Sequence, residues 1–323
     1  AIEIDPANTK AQVEIGKMYL LGKDSTKAME KAEFVLRSEP NNADAGLLKA
    51  AVFLVRKEFD KALSLLDELL KAGVSKPDLY MLQSGSLLQS GNKSAAEKAL
   101  RDGIEKNPKS SILFQTLVNF YDQEHRTDEA IVVVSKMIEL EPKEVTYKLK
   151  MADLYWDAGK EQQARDILAQ IVSEDEKNED KWIKVGGFYL GKNKVQDAEK
   201  SLRDGLAKND KSIKIRFVLC DVFGNTNRLD EAVTLLNECL KIKKGSSDPE
   251  VIQAKTSLAR IHLLQNKTAD AKKMVEDVLK ASPNNADAHL VKGNILLSQA
   301  DGPGAVSEFR SVLNEKPQFL PGY

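Results

Sequence analysis

Much of what would build one large core, or assign a chain to one partner class, is scarce in this sequence. Phe, Trp and Tyr make up only 6% of the 323 residues, which is low for a protein organised around a single central core. Two cysteines exclude a disulfide framework and leave the redox compartment open. The ten prolines and 18 glycines fall at intervals and do not cluster, so no low-complexity linker and no domain boundary is expected. No run of about 18 apolar residues occurs, so no segment is expected to insert into a membrane. A charged-then-apolar leader is also missing, although the opening "AIEIDP" reads as the tail of an earlier helix. Nor does one charge prevail: 48 basic residues against 49 acidic ones give a net charge of -1, which supplies no attraction to nucleic acid. With 42% hydrophobic and 30% charged residues, the composition is that of a folded chain.

What the sequence does contain is repetition. "PNNADA" stands at residues 40–45 and again at 283–288, and "LRDGIEKN" from Leu100 returns as "LRDGLAKN" from Leu202. Both echoes fit a period of 34, given five extra residues in "KKGSSDPE". With Pro6 as a marker, equivalent positions are Pro40, Val74, Pro108, Pro142, Glu176, Asp210, Pro249, Pro283 and Pro317. Twenty-two residues past each complete marker stands an alanine: Ala28, Ala62, Ala96, Ala130, Ala164, Ala198, Ala232, Ala271 and Ala305. Ten past it the residue is nearly always small (Gly16, Ala50, Ser84, Ala152, Gly186), and thirteen past it nearly always large (Tyr19, Phe53, Tyr121, Tyr155, Tyr189, Phe223). Nine repeats are therefore expected in one array over 1–323: 7–40, 41–74, 75–108, 109–142, 143–176, 177–210, 211–249, 250–283 and 284–317. Partial repeats are expected at 1–6 and 318–323.

Within each repeat the apolar residues follow helical spacing in two runs divided by a turn. In the fifth, Leu149, Met151, Ala152, Leu154 and Tyr155 mark one helix, and Ala164, Ile167, Leu168, Ile171 and Val172 the next. Turns are expected at Gly22-Lys23, Gly91-Asn92 and Gly159-Lys160. The small residue and the alanine let two antiparallel helices approach closely, with the large residue filling the space beside them. No strand pattern appears.

A 34-residue helix–turn–helix with small, aromatic, alanine and proline positions at these offsets resembles the tetratricopeptide repeat. The family's tryptophan position, six past the marker, holds Trp182, with Tyr80 and Phe114 elsewhere, but Gln12, Gly46 and Lys148 depart from it. The resemblance covers the whole chain and implies an all-α, right-handed solenoid whose first helices line a concave groove. The closing "FRSVLNEKPQFLPGY" resembles long bacterial repeat proteins of the cell envelope, including lipoproteins of exopolysaccharide export, which implies an envelope location over the cytoplasm.

The strings and residues that could suggest catalysis have ordinary explanations. "GGFYLGKN", Gly186 to Asn193, has the spacing of a phosphate loop but lacks the closing Ser/Thr and falls on a helix and turn. His125, His262 and His289 have no second ligand at helical spacing, and there is no H-E-x-x-H, C-x-x-C or G-x-S-x-G. Neither catalysis nor any metal or cofactor is expected. Cys220 and Cys239 are expected to face each other across a helical pair as small buried residues, with a disulfide as the alternative.

Three functions fit: a scaffold binding an extended or helical segment of a protein or peptide partner, an accessory or substrate-delivery domain of an enzyme or polysaccharide-export assembly, and a self-associating spacer. If the resemblance holds, positions 4, 7, 11, 14 and 15 past each marker face the groove. They give an apolar stretch that includes Leu47, Leu54, Met81 and Leu88. A polar, acidic stretch follows, with Gln115, Asn119, Asp122, Gln123, Asp153, Trp156, Asp157 and Asp221. The apolar group has an alternative role, packing between neighbouring repeats. Trp156, beside Tyr155 in the structural aromatic position, is the candidate binding hot spot, ringed by carboxylates and suited to a basic or amphipathic segment.

Overall fold

The computed structural model describes residues 8–318, and all their regular structure is helical: eighteen helices from α1 (Thr9–Leu21) to α18 (Gly302–Glu315). The partial repeats expected at the two ends lie, apart from Gln318, outside the described residues. Odd-numbered helices open each pair and even-numbered ones close it. The chain forms two compact units, one running to Ile167 and one beginning at Leu168. The break falls within α10 (Glu161–Ser173), where the sequence carries no linker.

The two echoes in the sequence are explained locally. In both copies of "PNNADA" the second asparagine caps a helix: Asn42 accepts from the Ala45 amide at 3.0 Å, opening α3 (Ala43–Val55), and Asn285 from that of Ala288 at 2.8 Å, opening α17 (Ala286–Ser298). A side-chain oxygen there satisfies one of the amides that a helix start leaves without a partner. In "LRDG" the leucines, Leu100 and Leu202, are fully buried. The glycines make room for the tryptophan position: a Cβ on Gly103 would lie 2.7 Å from Tyr80, and one on Gly205 would lie 2.5 Å from Trp182. Where that position holds glycine the volumes are exchanged, since a Cβ on Gly46 would meet Leu69 at 2.9 Å. Leu69 stands where Gly103 and Gly205 stand in their repeats.

All nine repeating alanines, from Ala28 to Ala305, are 0% exposed, as the close approach of paired helices requires. The turns follow a different rule from the expected glycines. The residue seventeen past each marker has positive φ in all nine pairs, at Lys23, Lys57, Gly91, His125, Gly159, Asn193, Asn227, Asn266 and Ala300. Two backbone bonds close each such turn, as in Lys23 N–H to Leu20 O at 3.0 Å and Asp24 N–H to Tyr19 O at 2.8 Å. These Schellman-like bonds hold even non-glycine residues in the left-handed region.

The five extra residues precede α15 (Pro249–Leu264), which has 16 residues where the other first helices have 13. Pro249 is thus not a loop marker like Pro40. It is the first residue of a helix extended by one turn, a position where its missing N–H costs nothing, behind the cap Asp248. "GGFYLGKN" lies in α11 (Glu179–Gly191) and the turn after it, with Gly186 against Leu202. Cys220 and Cys239 are free, buried thiols, and burial pushes them up to about 12 and about 11 respectively.

Candidate partner-binding face

The expected site residues separate into three groups. The apolar ones mostly pack inward. Leu47 is only 5% exposed and belongs to the core of the first unit with Leu66, Leu79 and Leu113, so the expectation that it faces a partner is corrected. The reason is the position of α3, which packs against α2 (Ser25–Ser38), α4 (Phe59–Lys71) and α5 (Pro77–Gln89) together. Met81 and Leu88 pack on the same core, Met81 sulfur accepts from Thr116 Oγ1 at 3.5 Å, and Leu54 lies 3.5 Å from where a Gly85 Cβ would sit. These contacts join neighbouring pairs, the alternative role noted for this stretch.

The second group gathers on α7 (Ser111–Gln123) and α9 (Val145–Asp157). Gln115 and Asn119 are exposed, one turn apart on α7. Behind them, between α7, α8 (Thr127–Leu140) and α9, lies a cavity of about 220 Å³. Its floor is the buried set Val118, Val134, Met137 and Tyr147, and Thr146 and Lys150 complete its rim.

Asp122 and Asp153 meet beside this cavity. The Lys150 ammonium donates to Asp122 Oδ2 at 2.8 Å and to Asp153 Oδ2 at 3.3 Å. Burial works against the charge on Lys150, but the bonds to the carboxylates outweigh it and its pKa is raised. Two of the residues read as a free acidic surface are therefore the anchors of a bridge from α7 to α9.

Trp156, one turn beyond Asp153, is half-buried. The Arg165 guanidinium carbon stands 5.4 Å from its ring centroid, so a cation lies over the indole. Gln123 and Asp157, the last residues of α7 and α9, are both exposed.

Asp221 is on α13 (Ile213–Asn225), in the other unit. There it lines a separate polar concavity of about 560 Å³ with Thr256, Arg260 and Asn285. Partial burial pushes its carboxyl up, and the nearby Arg260 opposes that shift. Among the described residues, no three His, Cys, Asp or Glu side chains form a cluster able to hold a metal.

Sequence reasoning overlooked Lys150 and the cavity floor. Lys150 left only a faint trace, its spacing of three from Asp153. Val134 and Met137 left none, because second-helix apolar residues read as ordinary core.

Comparison with known proteins matches residues 123–182 and residues 256–318 to two family models, each described as a tetratricopeptide repeat. Over 251 residues the chain is 22% identical to a TPR repeat-containing protein of Methanocaldococcus jannaschii, covering 74% of this chain and 44% of that protein. It thus spans less than half the length of that relative. Among solved structures, a tetratricopeptide repeat protein from Parabacteroides merdae superposes with a TM-score of 0.41 at 19% identity, over 74% of this chain and 92% of that one. A chain of the APC/C hetero-tetramer Cut9-Hcn1 superposes with a TM-score of 0.42 at 17% identity, over 92% of this chain and 58% of that one.

Proposed function

We propose that this chain, whose residues 123–182 and 256–318 match tetratricopeptide-repeat models, is a protein-interaction scaffold that holds an extended segment of a partner across α7 and α9. The observation that carries this reading is the pair of exposed carboxamides, Gln115 and Asn119, at the lip of an apolar cavity. Four residues of α-helix rise about 6 Å. Two residues of extended chain advance about 6.6–6.8 Å, the repeat of peptide groups that face the same way. Each carboxamide offers one acceptor and two donors, so the pair matches consecutive same-facing peptide groups of an extended segment. A helical partner presents no such row, because its backbone groups are already bonded to one another.

The test is selection of a displayed random-peptide library on the whole chain and on the Gln115→Ala/Asn119→Ala variant. Both substitutions are at exposed positions, so an unchanged thermal melt is expected. Enriched peptides should lose affinity for the variant by about tenfold or more, the scale of two lost hydrogen bonds. Equal binding to both proteins, or selected peptides that are helical when bound, overturns the proposal.

A further inference from the structure

The cavity behind the two carboxamides restricts what an extended segment can place there. Its volume of about 220 Å³ exceeds the roughly 150 Å³ at which an apolar cavity takes up benzene. Its lining includes Val118, Val134, Met137 and Tyr147, all less than a tenth exposed, which bring aliphatic, thioether and aromatic groups to it. A thioether and an aromatic wall interact favourably with another ring beyond simple burial. Lys150, the one charged group at the rim, is already bonded to Asp122 and Asp153, so the cavity offers no ready counter-charge to an acidic side chain.

We propose that this cavity is the specificity pocket of the chain and takes one aromatic side chain, Phe or Trp, of the bound segment. This rests on the scaffold reading above. The register follows from strand geometry: side chains alternate, so the ring enters the cavity while the flanking peptide groups meet Gln115 and Asn119. An isobutyl side chain leaves part of the volume empty and forgoes the contacts with Tyr147 and Met137. A glutamate would be buried on the floor with no free counter-charge, which is costly.

The probes are N-acetyl-phenylalanine amide, N-acetyl-leucine amide and N-acetyl-alanine amide, titrated into the whole chain with methyl groups labelled. The phenylalanine amide should shift the Val118, Val134 and Met137 methyl signals and bind about fivefold tighter than the leucine amide, the size of an aromatic pair contribution. Thr146→Trp, a change at an exposed rim position, should close the mouth and abolish those shifts without altering the melt. Equal binding of the leucine and phenylalanine amides overturns the proposal, as does the absence of floor shifts up to the solubility limit, or shifts that survive Thr146→Trp. The two readings fail separately. Library peptides that depend on Gln115 and Asn119 but carry no aromatic residue leave the scaffold standing and remove the aromatic pocket.

Discussion

The same arrangement of five side chains is built twice, 102 residues apart, once in each unit, and the copies differ by one oxygen atom. In the first unit, Tyr121 is fully buried with Arg126 at 4.6 Å and Arg101 at 5.9 Å from its ring centroid. Its hydroxyl donates to Glu97 Oε1 at 2.7 Å and accepts from Arg101 at 2.7 Å. Arg126 in turn bonds Glu97 at 2.6 Å and Glu129 at 2.9 Å. The second unit has Phe223, Arg228, Arg203, Glu199 and Glu231 at the equivalent positions, with the two cations 4.4 Å and 5.3 Å from the ring. Arg203 keeps a 2.9 Å bond to Glu199, as Arg101 does to Glu97, and with no hydroxyl to meet its other nitrogen donates to Glu231 at 3.1 Å. Arg228 bonds both Glu199 and Glu231. The ring between two cations and the second arginine's bond to the first carboxylate are shared, and the phenol only decides whether that arginine's other nitrogen meets the hydroxyl or Glu231.

Removing the ring is the most severe way to probe that equivalence. Tyr121→Ala and Phe223→Ala should each destabilise their own unit by about 3–5 kcal/mol, with similar costs, read as lost hydrogen-exchange protection confined to that unit. A much larger loss for Tyr121→Ala would mean that the polar bonds, and not the ring, hold the first copy together.

Deleting only the oxygen comes next. Tyr121→Phe takes a donor from an ionised, largely buried carboxylate and should cost about 1.5–3 kcal/mol in urea unfolding. Phe223→Tyr adds a hydroxyl where Glu199 already receives both arginines, and should change stability by less than about 1 kcal/mol in either direction.

The smallest effect is in acid. Burial pushes the Glu97 carboxyl up, but bonds from Arg126, Tyr121 and Arg101 outweigh this and bring it to about 2. A depressed carboxylate contributes stability that is full above its ordinary value of 4.5 and lost as pH falls from there toward about 2. In Tyr121→Phe, carboxyl NMR should show Glu97 titrating at higher pH, closer to that ordinary value. An unmoved titration would leave the two arginines as the sole cause.

Legibility in the sequence followed how narrowly a position constrains its residue type. The alanine position tolerates no larger side chain, so it was visible in every repeat, and all nine members are fully buried. The left-handed turn residue was not visible, because it is fixed by two backbone bonds that any residue can make. Lys, Asn, His and Ala occupy it as well as Gly, and the glycine of Gly22-Lys23 is not the left-handed member. At the candidate site, Gln115, Asn119, Asp122 and Asp153 were readable from their offsets on first helices, and the structure sets them around one cavity and its neighbouring bridge. Two things were not readable. Leu47 looks like a groove residue by offset and is interior because α1, α2, α4 and α5 all pack on α3. The Arg165 guanidinium over Trp156 comes from a second helix, and offsets along first helices do not reveal it.

The exchange of volume between the tryptophan position and its partner on the second helix has a consequence for how such a chain can change over time. Tyr80 with Gly103 and Gly46 with Leu69 fill comparable space in opposite ways. Moving from one solution to the other takes two substitutions, and either alone leads to a worse state: a hole if the ring goes first, a collision if the glycine goes first. The two positions are therefore coupled, although another repeat holds Phe114 and Met137 there, a ring opposite a long side chain with both buried. Recombination that joins two repeats midway, between these two positions, would bring ring against leucine or glycine against glycine. A crossover at a repeat boundary keeps each pair intact. The inheritable unit of this protein is thus the whole helical pair and not the single helix.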